Sequence, residues 1–144
     1  MKRLLIFCLS IFAIISCKND DVDSDLTAKY VGIWEAPLAT ANTDHIWTIE
    51  KTGNNQIKIS ILEHTEFNVE GYESETNKTY TVDKVGISND KDPTFHFDKA
   101  IDDLAYGIDV SLSISQGKLF ANCKTTQKGT GQTHGSPNLE FTKK

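Results

Sequence analysis

Apolar and polar residues alternate with a period of two along most of the chain after residue 30. In the longest run, Tyr106, Ile108, Val110, Leu112 and Ile114 are separated by small or polar residues. This period places all five on one face, which is the pattern of a half-buried β-strand. Shorter runs of the same kind are Trp47 and Ile49; Ile57, Ile59 and Ile61; Tyr80 and Val82; Phe95 and Phe97; Leu119, Ala121 and Cys123; Leu139 and Phe141. The pattern predicts eight or nine strands and little helix.

Turn-forming residues separate these runs. Thr-Gly-Asn-Asn at residues 52–55 lies between two of them, and Gln116-Gly117 lies between two others. Glycine and asparagine supply the positive φ of tight hairpins. Short turns predict an antiparallel meander, and one apolar face per strand predicts that it closes into a small barrel of about eight strands. A β-sandwich is the alternative, because both folds share this pattern. We expect short turns at residues 26–31 and 98–104.

The chain starts with the layout of an export signal. Lys2 and Arg3 give a basic start, residues 4–15 are apolar except for one serine, and Ser16 and Cys17 follow. Twelve helical residues extend about 18 Å, which is well short of a hydrocarbon core of roughly 30 Å. The segment is therefore predicted to be a signal peptide and not a permanent transmembrane helix.

The end of this segment, Ile-Ile-Ser-Cys, resembles the lipobox of bacterial lipoproteins. The resemblance implies a signal peptide at residues 1–16, cleavage between Ser16 and Cys17, and transfer of a diacylglycerol to the Cys17 thiol. Membrane lipid would then hold the chain through acylated Cys17. Two or three acyl chains give lasting attachment, since each buried methylene contributes about 0.8 kcal/mol.

Residues 17–28 are predicted to be the lipidated cysteine and an acidic, flexible tether. Residues 18–25 contain four aspartates and one apolar side chain, which is too little apolar surface to offset the cost of ordering. This stretch resembles the acidic export signal behind the cysteine in surface lipoproteins of Bacteroidetes-type bacteria. Together the resemblances imply a lipoprotein of the outer membrane, and the second one favours the leaflet that faces the cell exterior.

A short motif opens the predicted barrel. Gly32 and Trp34 resemble the Gly-x-Trp element in the first strand of lipocalin-like barrels. In that family the tryptophan closes one end of the barrel, the glycine lets the crossing backbone approach, and a basic side chain near the last strand packs over the tryptophan. The resemblance implies that residues 29–144 form a single lipocalin-like barrel, with Lys143 or Lys144 as the basic residue.

Charge and cysteine content narrow the predicted partners. Loss of residues 1–16 leaves 13 basic and 20 acidic side chains, a formal charge of −7. An acidic domain argues against binding nucleic acid or anionic lipid, because both attract basic patches. Cys123 has no partner for a disulfide once Cys17 carries lipid, and its alternation with Leu119 and Ala121 predicts a buried, inert thiol.

We find no pattern that predicts a metal or a cofactor. The four histidines lack the spacing of zinc proteases. His96 and Asp98, alternate residues of one strand, are expected to form a polar pair on the solvent face. His45 is expected to be a strand-edge residue and not a ligand. Asp-Lys-Asp at 90–92 lacks the further ligands of an EF-hand, and its lysine opposes cation binding.

Two other segments contain residue types that occur in catalytic sites. Five glutamates lie between residues 63 and 75, but nothing places two of them across a cleft, and we expect an acidic surface hairpin. The Gly/Thr-rich stretch at 124–137 lacks the order of a phosphate-binding loop and is predicted to be a mobile hairpin loop. No nucleophile has a recognisable context, so the protein is not expected to be an enzyme.

Two functions fit these predictions. The first is a membrane-anchored binding module for a small apolar ligand held inside the barrel. The alternative is a surface module for protein–protein interaction, such as a hydrolase inhibitor or an accessory subunit of an envelope complex. A pocket of a few hundred Å³ with apolar walls would favour the first. A barrel of eight strands filled by its own side chains, with exposed aromatic residues at its loops, would favour the second.

Overall fold

The structure is a computed structural model that describes residues 25–40, 42–135 and 137–144. The predicted signal peptide, the cleavage site between Ser16 and Cys17, the lipidation site and most of the predicted tether lie outside the described residues. Among the described residues, no helix is long and apolar enough to cross a membrane.

Eight antiparallel strands form one continuous sheet. They are β1 (Gly32–Thr40), β2 (Thr43–Gly53), β3 (Gln56–Val69), β4 (Tyr72–Gly86), β5 (Thr94–Ile101), β6 (Leu104–Ser115), β7 (Lys118–Gln127) and β8 (Asn138–Lys143). Strands adjacent in sequence pair with each other, with the exception of β4 and β5, and β1 also pairs with β8. The resulting order is β4-β3-β2-β1-β8-β7-β6-β5, a meander curled into a nearly closed barrel. The predicted all-β barrel is confirmed, and the alternative sandwich does not form.

The gap between β4 and β5 is filled by side chains. No backbone ladder joins these two strands in the described part of the chain. Instead, the rings of Tyr80 and Phe97 approach with their centroids 5.2 Å apart, and Lys99 Nζ lies 5.9 Å from the centre of the Tyr80 ring. We call this line of contacts the seam.

The two-residue alternation predicts the inward face of each strand correctly. The fully buried positions include Trp34 on β1, Trp47 and Ile49 on β2, and Leu112 on β6. Trp47 lies near the centre of the core, with its ring 4.7 Å from that of Phe141. The aromatic and branched side chains therefore fill the middle of the barrel.

Cys123 is buried among these residues, as its alternation predicts. Burial raises the pKa of its thiol to about 11, with a smaller contribution from the charge of Glu63. The thiol is therefore protonated at neutral pH, and a protonated, enclosed sulfur is a poor nucleophile.

Two predicted connections differ from the structure. The turn expected at residues 98–104 is wrong, because β5 continues to Ile101 and only Asp102 and Asp103 form the hairpin turn. Both have positive φ, 47° and 64°, which this kind of two-residue turn requires and which aspartate tolerates. The loop expected at 124–137 begins later, because β7 extends to Gln127 and backbone bonds tie the stretch beyond it to the end of that strand. The turn expected at 26–31 is present.

The turn at residues 25–31 covers one end of the barrel, which we call the closed end. Asp25 accepts a hydrogen bond from Lys51 Nζ at 2.8 Å, and the backbone nitrogen of Leu26 donates to Asn55 Oδ1 at 3.2 Å. The Lys51 and Thr27 bonds hold the pKa of Asp25 down at about 2. These bonds connect the turn to the β2–β3 hairpin.

Trp34 joins the closed end to the last strand. Its Nε1 donates to the backbone oxygen of Tyr30 at 2.7 Å, and Lys143 Nζ lies 5.4 Å from the centre of its ring. The predicted packing of a C-terminal lysine over this tryptophan is thus observed, and Lys143 supplies it. Gly32 has a φ of +142°, and a Cβ there would lie 2.5 Å from Lys143 Cε.

We expect Gly32→Ala to lower the free energy of unfolding by about 1–3 kcal/mol, because a side chain strains this backbone conformation. Urea denaturation gives the measurement. Gly86→Ala is the matched control, since Gly86 has an ordinary φ and open space around it. In the Lys143→Ala background, Gly32→Ala should still cause most of this loss of stability. The lysine tip is flexible and can move away in the unmodified protein, so the backbone strain accounts for most of the effect. Equal effects of the two glycine substitutions would contradict this explanation.

Candidate functional site

Three polar side chains point into the barrel at the end opposite the closed end, which we call the far end. They are His45 on β2, Glu63 on β3 and Lys99 on β5. His45 and Glu63 are each only 7% exposed. Their positions follow from alternation, since His45 is two residues before Trp47 and Glu63 two residues after Ile61. We refer to the three as the polar cluster.

An ion pair links the polar cluster across the seam. Lys99 Nζ donates to Glu63 Oε2 at 2.5 Å, while His45 Nδ1 lies 4.0 Å from Glu63 Oε1. Because Glu63 belongs to β3 and Lys99 to β5, the pair connects elements on opposite sides of the gap between β4 and β5. The cluster therefore adds a charged contact to the ring contacts of the seam.

Burial sets the protonation of this region. It lowers the pKa of His45, and the positive charge of Lys99 acts in the same direction, while Glu63 opposes both. It also raises the pKa of Tyr80 to about 12, with a further contribution from the Glu63 charge. At neutral pH the far end thus contains a neutral imidazole, a neutral phenol and one ion pair.

The structure corrects two expectations here. His45, predicted to lie at a strand edge, is buried on a strand paired on both sides. Glu63, predicted to belong to an acidic surface hairpin, is buried and paired with Lys99. The sequence contained the signal for both, because each extends an apolar alternation by one inward position. A charged or polar residue in such a position departs from the usual pattern of apolar inward positions.

The polar cluster lines a cavity of about 110 Å³, together with Trp47, Cys123, Thr125 and several aliphatic side chains. For comparison, an apolar cavity of about 150 Å³ accommodates one benzene molecule. Trp47 is 1% exposed, and its Nε1 has no hydrogen-bond partner among the described residues. This cavity thus has room only for a molecule of a few heavy atoms.

The second feature of the far end is a hairpin that projects beyond its neighbours. β3 and β4 have 14 and 15 residues, against 8 residues for β5. Residues 75–79 of β4 are exposed at every position, so neither face of the strand is covered there. We call residues 64–79 the projecting hairpin.

The two faces of the projecting hairpin differ in chemistry. Phe67 and Tyr72 are 54% and 68% exposed, and alternation places both on the inward-facing side, above the mouth of the barrel. The opposite side contains Glu66, Glu73 and Glu75, and Glu66 lies directly across from Glu75 in the β3–β4 register. One face is therefore aromatic and the other is acidic.

His64 lies between the paired carboxylates. Its Nε2 is 3.1 Å from Glu66 Oε1, and its Nδ1 is 2.8 Å from Asn77 Oδ1 and 3.6 Å from Glu75 Oε1. The hydrogen bond with Glu66 is the main cause that raises the pKa of His64, and Asn77 and Glu75 add to it. A protonated His64 offsets part of the repulsion between two glutamates that face each other.

His96 has a similar setting on the outer surface of β5. Its Nδ1 is 2.8 Å from Asp109 Oδ1 and its Nε2 is 3.1 Å from Asp98 Oδ1, which confirms the predicted polar pair on the solvent face. The bond with Asp109 is the larger cause of the raised pKa of His96. Lys128 bonds Asp98 at 2.6 Å and is the main cause that lowers the pKa of that carboxyl. No group of three or more potential metal ligands forms among the described residues, and this includes the segment 90–92.

Comparison with known proteins does not assign this chain to a family. The chain matched no model of a protein family, no curated protein and no solved structure.

We expect Lys99→Met to lower the free energy of unfolding by about 2–3 kcal/mol, because it leaves the Glu63 carboxylate buried without its partner. The value is below the roughly 3–5 kcal/mol of a fully enclosed pair, since the Lys99 side chain is 20% exposed. Adding Glu63→Gln should recover more than half of the loss. Lys118→Met, which removes the exposed pair with Glu140, is the matched control and should change stability by no more than about 0.5 kcal/mol. Similar losses for the two lysine variants, in denaturant titrations, would argue against a seam contact.

The histidines should titrate in a fixed order. NMR titration of the imidazole Cε1 protons is expected to give His45 a pKa below 6.5, and His64 and His96 pKa values above 6.5. A raised pKa in the folded state stabilises the fold below the unfolded pKa and loses that effect as pH rises through the folded pKa. His96→Gln should therefore lose less stability than the unmodified protein as pH rises above about 6.5, the ordinary value for histidine. The reverse order of titration would refute the assigned environments.

Proposed function

We propose that this protein is a lipid-anchored β-barrel of the outer membrane that works as a protein–protein interaction module, with the far end as its contact surface. The observation that supports this proposal most directly is the contrast at the far end between a small interior cavity and a large exposed aromatic surface. The interior cavity holds only about 110 Å³, while Phe67 and Tyr72 present large aromatic surfaces to solvent.

The filled interior supports a role for the outer surface. Pockets that bind ligands of drug size usually measure roughly 300–1,000 Å³. The space beside the polar cluster is well below that range, and a buried ion pair forms part of its wall. A long apolar molecule would have to displace the aromatic side chains packed around Trp47.

The chemistry of the projecting hairpin supports a protein partner. Exposed aromatic residues are uncommon on monomer surfaces and are enriched at protein interfaces, where they supply much of the binding energy. Leu38, on β1 and separated from β3 by β2, is 72% exposed and adds apolar surface at the same end. Acidic residues beside this surface would speed encounter with a basic partner.

The position of the anchor is consistent with this role. The turn at residues 25–31 packs at the closed end, so a lipid on Cys17 would leave the barrel from that side. β3 has 14 residues and extends about 45 Å at roughly 3.3 Å per residue. The tip of the projecting hairpin would then be directed away from the membrane. The acidic domain would gain little from contact with anionic lipid.

A second candidate function is the binding of a small molecule inside the barrel. The observation that favours it is the buried Trp47 Nε1, which lines the cavity and has no acceptor in the described part of the chain. The apolar ligand expected from the sequence would have to be smaller than benzene to fit. Native mass spectrometry of protein purified from its own cells tests this candidate, since a retained small molecule would appear as an added mass.

The contact surface can be tested by photocrosslinking in cells. We expect p-benzoylphenylalanine at position 67 or 72 to crosslink one discrete protein, and the same group at position 89, which is exposed near the closed end, to give no such product. In the purified pair, Phe67→Ser combined with Tyr72→Ser should weaken binding at least tenfold. Stability should change by less than about 0.5 kcal/mol for each, because both side chains are exposed. Crosslinks of equal intensity from all three positions would contradict the assignment of this surface.

A further inference from the structure

We infer that the edge of β4 at residues 72–79 binds its partner by strand addition, and that the added segment is an extended chain in which basic and apolar residues alternate. This inference rests on the proposed function and gives the mode and the chemistry of the contact. It is carried by the open backbone edge and by the different chemistry of the two faces of the projecting hairpin.

The edge is available because β4 extends beyond the end of β5, the strand beside it. β4 and β5 are the two end strands of the sheet, and their contact is made by side chains around Tyr80 and Phe97. β5 ends at Ile101, only four residues beyond Phe97, whereas β4 starts eight residues before Tyr80. Residues 72–79 pair with β3 on one side alone, and the described residues provide no strand that bonds their outward backbone groups. Residues 72–75 also lie beyond the end of β5. Such an edge can pair with another chain.

The exposure of β4 shows how far this edge reaches. A barrel strand normally alternates between exposed and buried positions, as β2 and β6 do here. Residues 75–79 of β4 are exposed without alternation. Both faces and one edge of this segment are therefore open to solvent, and an added strand could place side chains on each face.

The charges on the hairpin select a basic partner. Between residues 66 and 78 the chain has four glutamates, Glu66, Glu70, Glu73 and Glu75, and one lysine, Lys78. Glu73 and Glu75 are on the edge strand itself, on the face away from the barrel. Neighbouring strands lie about 4.8 Å apart, so lysine or arginine residues of an added strand would pair with these carboxylates on the same face.

The opposite face selects apolar residues. Tyr72, Ser74 and Thr76 alternate with the glutamates and point to the side above the barrel mouth, where Phe67 is also exposed. An added strand places every second residue on this side. An apolar side chain there would cover the rings of Tyr72 and Phe67, and its neighbours in sequence would reach the carboxylates. The alternation of basic and apolar residues expected in the partner therefore follows from the different chemistry of the two faces of β4.

A second copy of the chain is a poorer occupant. It would bring the same acidic hairpin against this one, with four glutamates on each side. Like charges directly opposite each other destabilise strand pairing. Charge complementarity therefore favours a different, basic segment.

The probe for this inference is a capped octapeptide that alternates lysine and valine. The full-length protein should bind it, and amide hydrogen exchange in residues 72–79 should slow on binding, since the added strand gives those amides new acceptors. A peptide of alternating glutamate and valine should not bind. Raising ionic strength from about 0.05 M to 0.5 M should weaken binding several-fold, because screening shortens the range of these charges.

Charge reversal provides the matched test. Glu73→Lys combined with Glu75→Lys should weaken binding of the lysine peptide by roughly tenfold, since two attractive pairs become repulsive. Asp90→Lys combined with Asp92→Lys makes the same change in net charge in the exposed loop before β5, and should alter binding less than twofold. Equal effects of the two double variants would overturn the inference.

Four other outcomes would also overturn it. Binding without slower exchange at residues 72–79 would mean attraction without strand addition. Slow exchange there in the peptide-free protein, accompanied by a dimer in sedimentation, would mean that a second copy covers the edge. Failure to bind the lysine peptide, while positions 67 and 72 still crosslink a partner in cells, would reject strand addition and leave the proposed function standing. If the lysine peptide does not bind and positions 67 and 72 crosslink no partner, strand addition and the proposed function are both rejected.

Discussion

Closure of the barrel without a backbone ladder is the constraint on which the rest of this structure depends. Seven of the eight strand junctions in a closed barrel are hydrogen-bonded here, and the eighth, between β4 and β5, is made by side chains. Tyr80 against Phe97 supplies the apolar part, and the Lys99–Glu63 ion pair supplies the charged part. Because side chains hold this junction, the two strands need not have equal lengths. β4 can therefore extend past β5 and form the projecting hairpin.

The polar cluster is best understood as part of this closure. A buried carboxylate is costly unless it is paired, and a lysine from across the gap is a partner that only the closed barrel provides. The same arrangement uses the inward positions at the far end for charged groups and leaves a cavity of about 110 Å³. The closed end has the opposite character, since Trp34, Tyr30 and Leu26 fill it with apolar surface. The two ends of the barrel thus differ in chemistry, one apolar and the other lined by charged and polar groups.

The sequence predicted those parts of the molecule in which hydrophobic burial controls the choice. The alternation of Tyr106 to Ile114 identified β6, and Gly32 with Trp34 identified the packing that Lys143 completes. Prediction failed where other forces control the structure. Glu63 lies at an inward position with Lys99 as its partner, 36 residues away in sequence, and local patterns do not reveal that pairing. His45 is buried beside this pair. The exposed part of β4 has no buried face and hence no alternation. Its edge, which carries the strand-addition inference, could be located only after the seam and the length of β5 were known.

The pairing of β1 with β8 has a consequence for the order in which the molecule assembles. Glu35 on β1 accepts a hydrogen bond from Thr142 on β8 across a sequence separation of 107 residues, and Lys144 bonds to the same part of β1. Contacts between such distant segments form late, because the loop between them must first be closed. During synthesis, β1 has only one of its two neighbours until the last strand emerges from the ribosome. A barrel built in this way stays open while it is being made, and its core closes only when β8 pairs with β1.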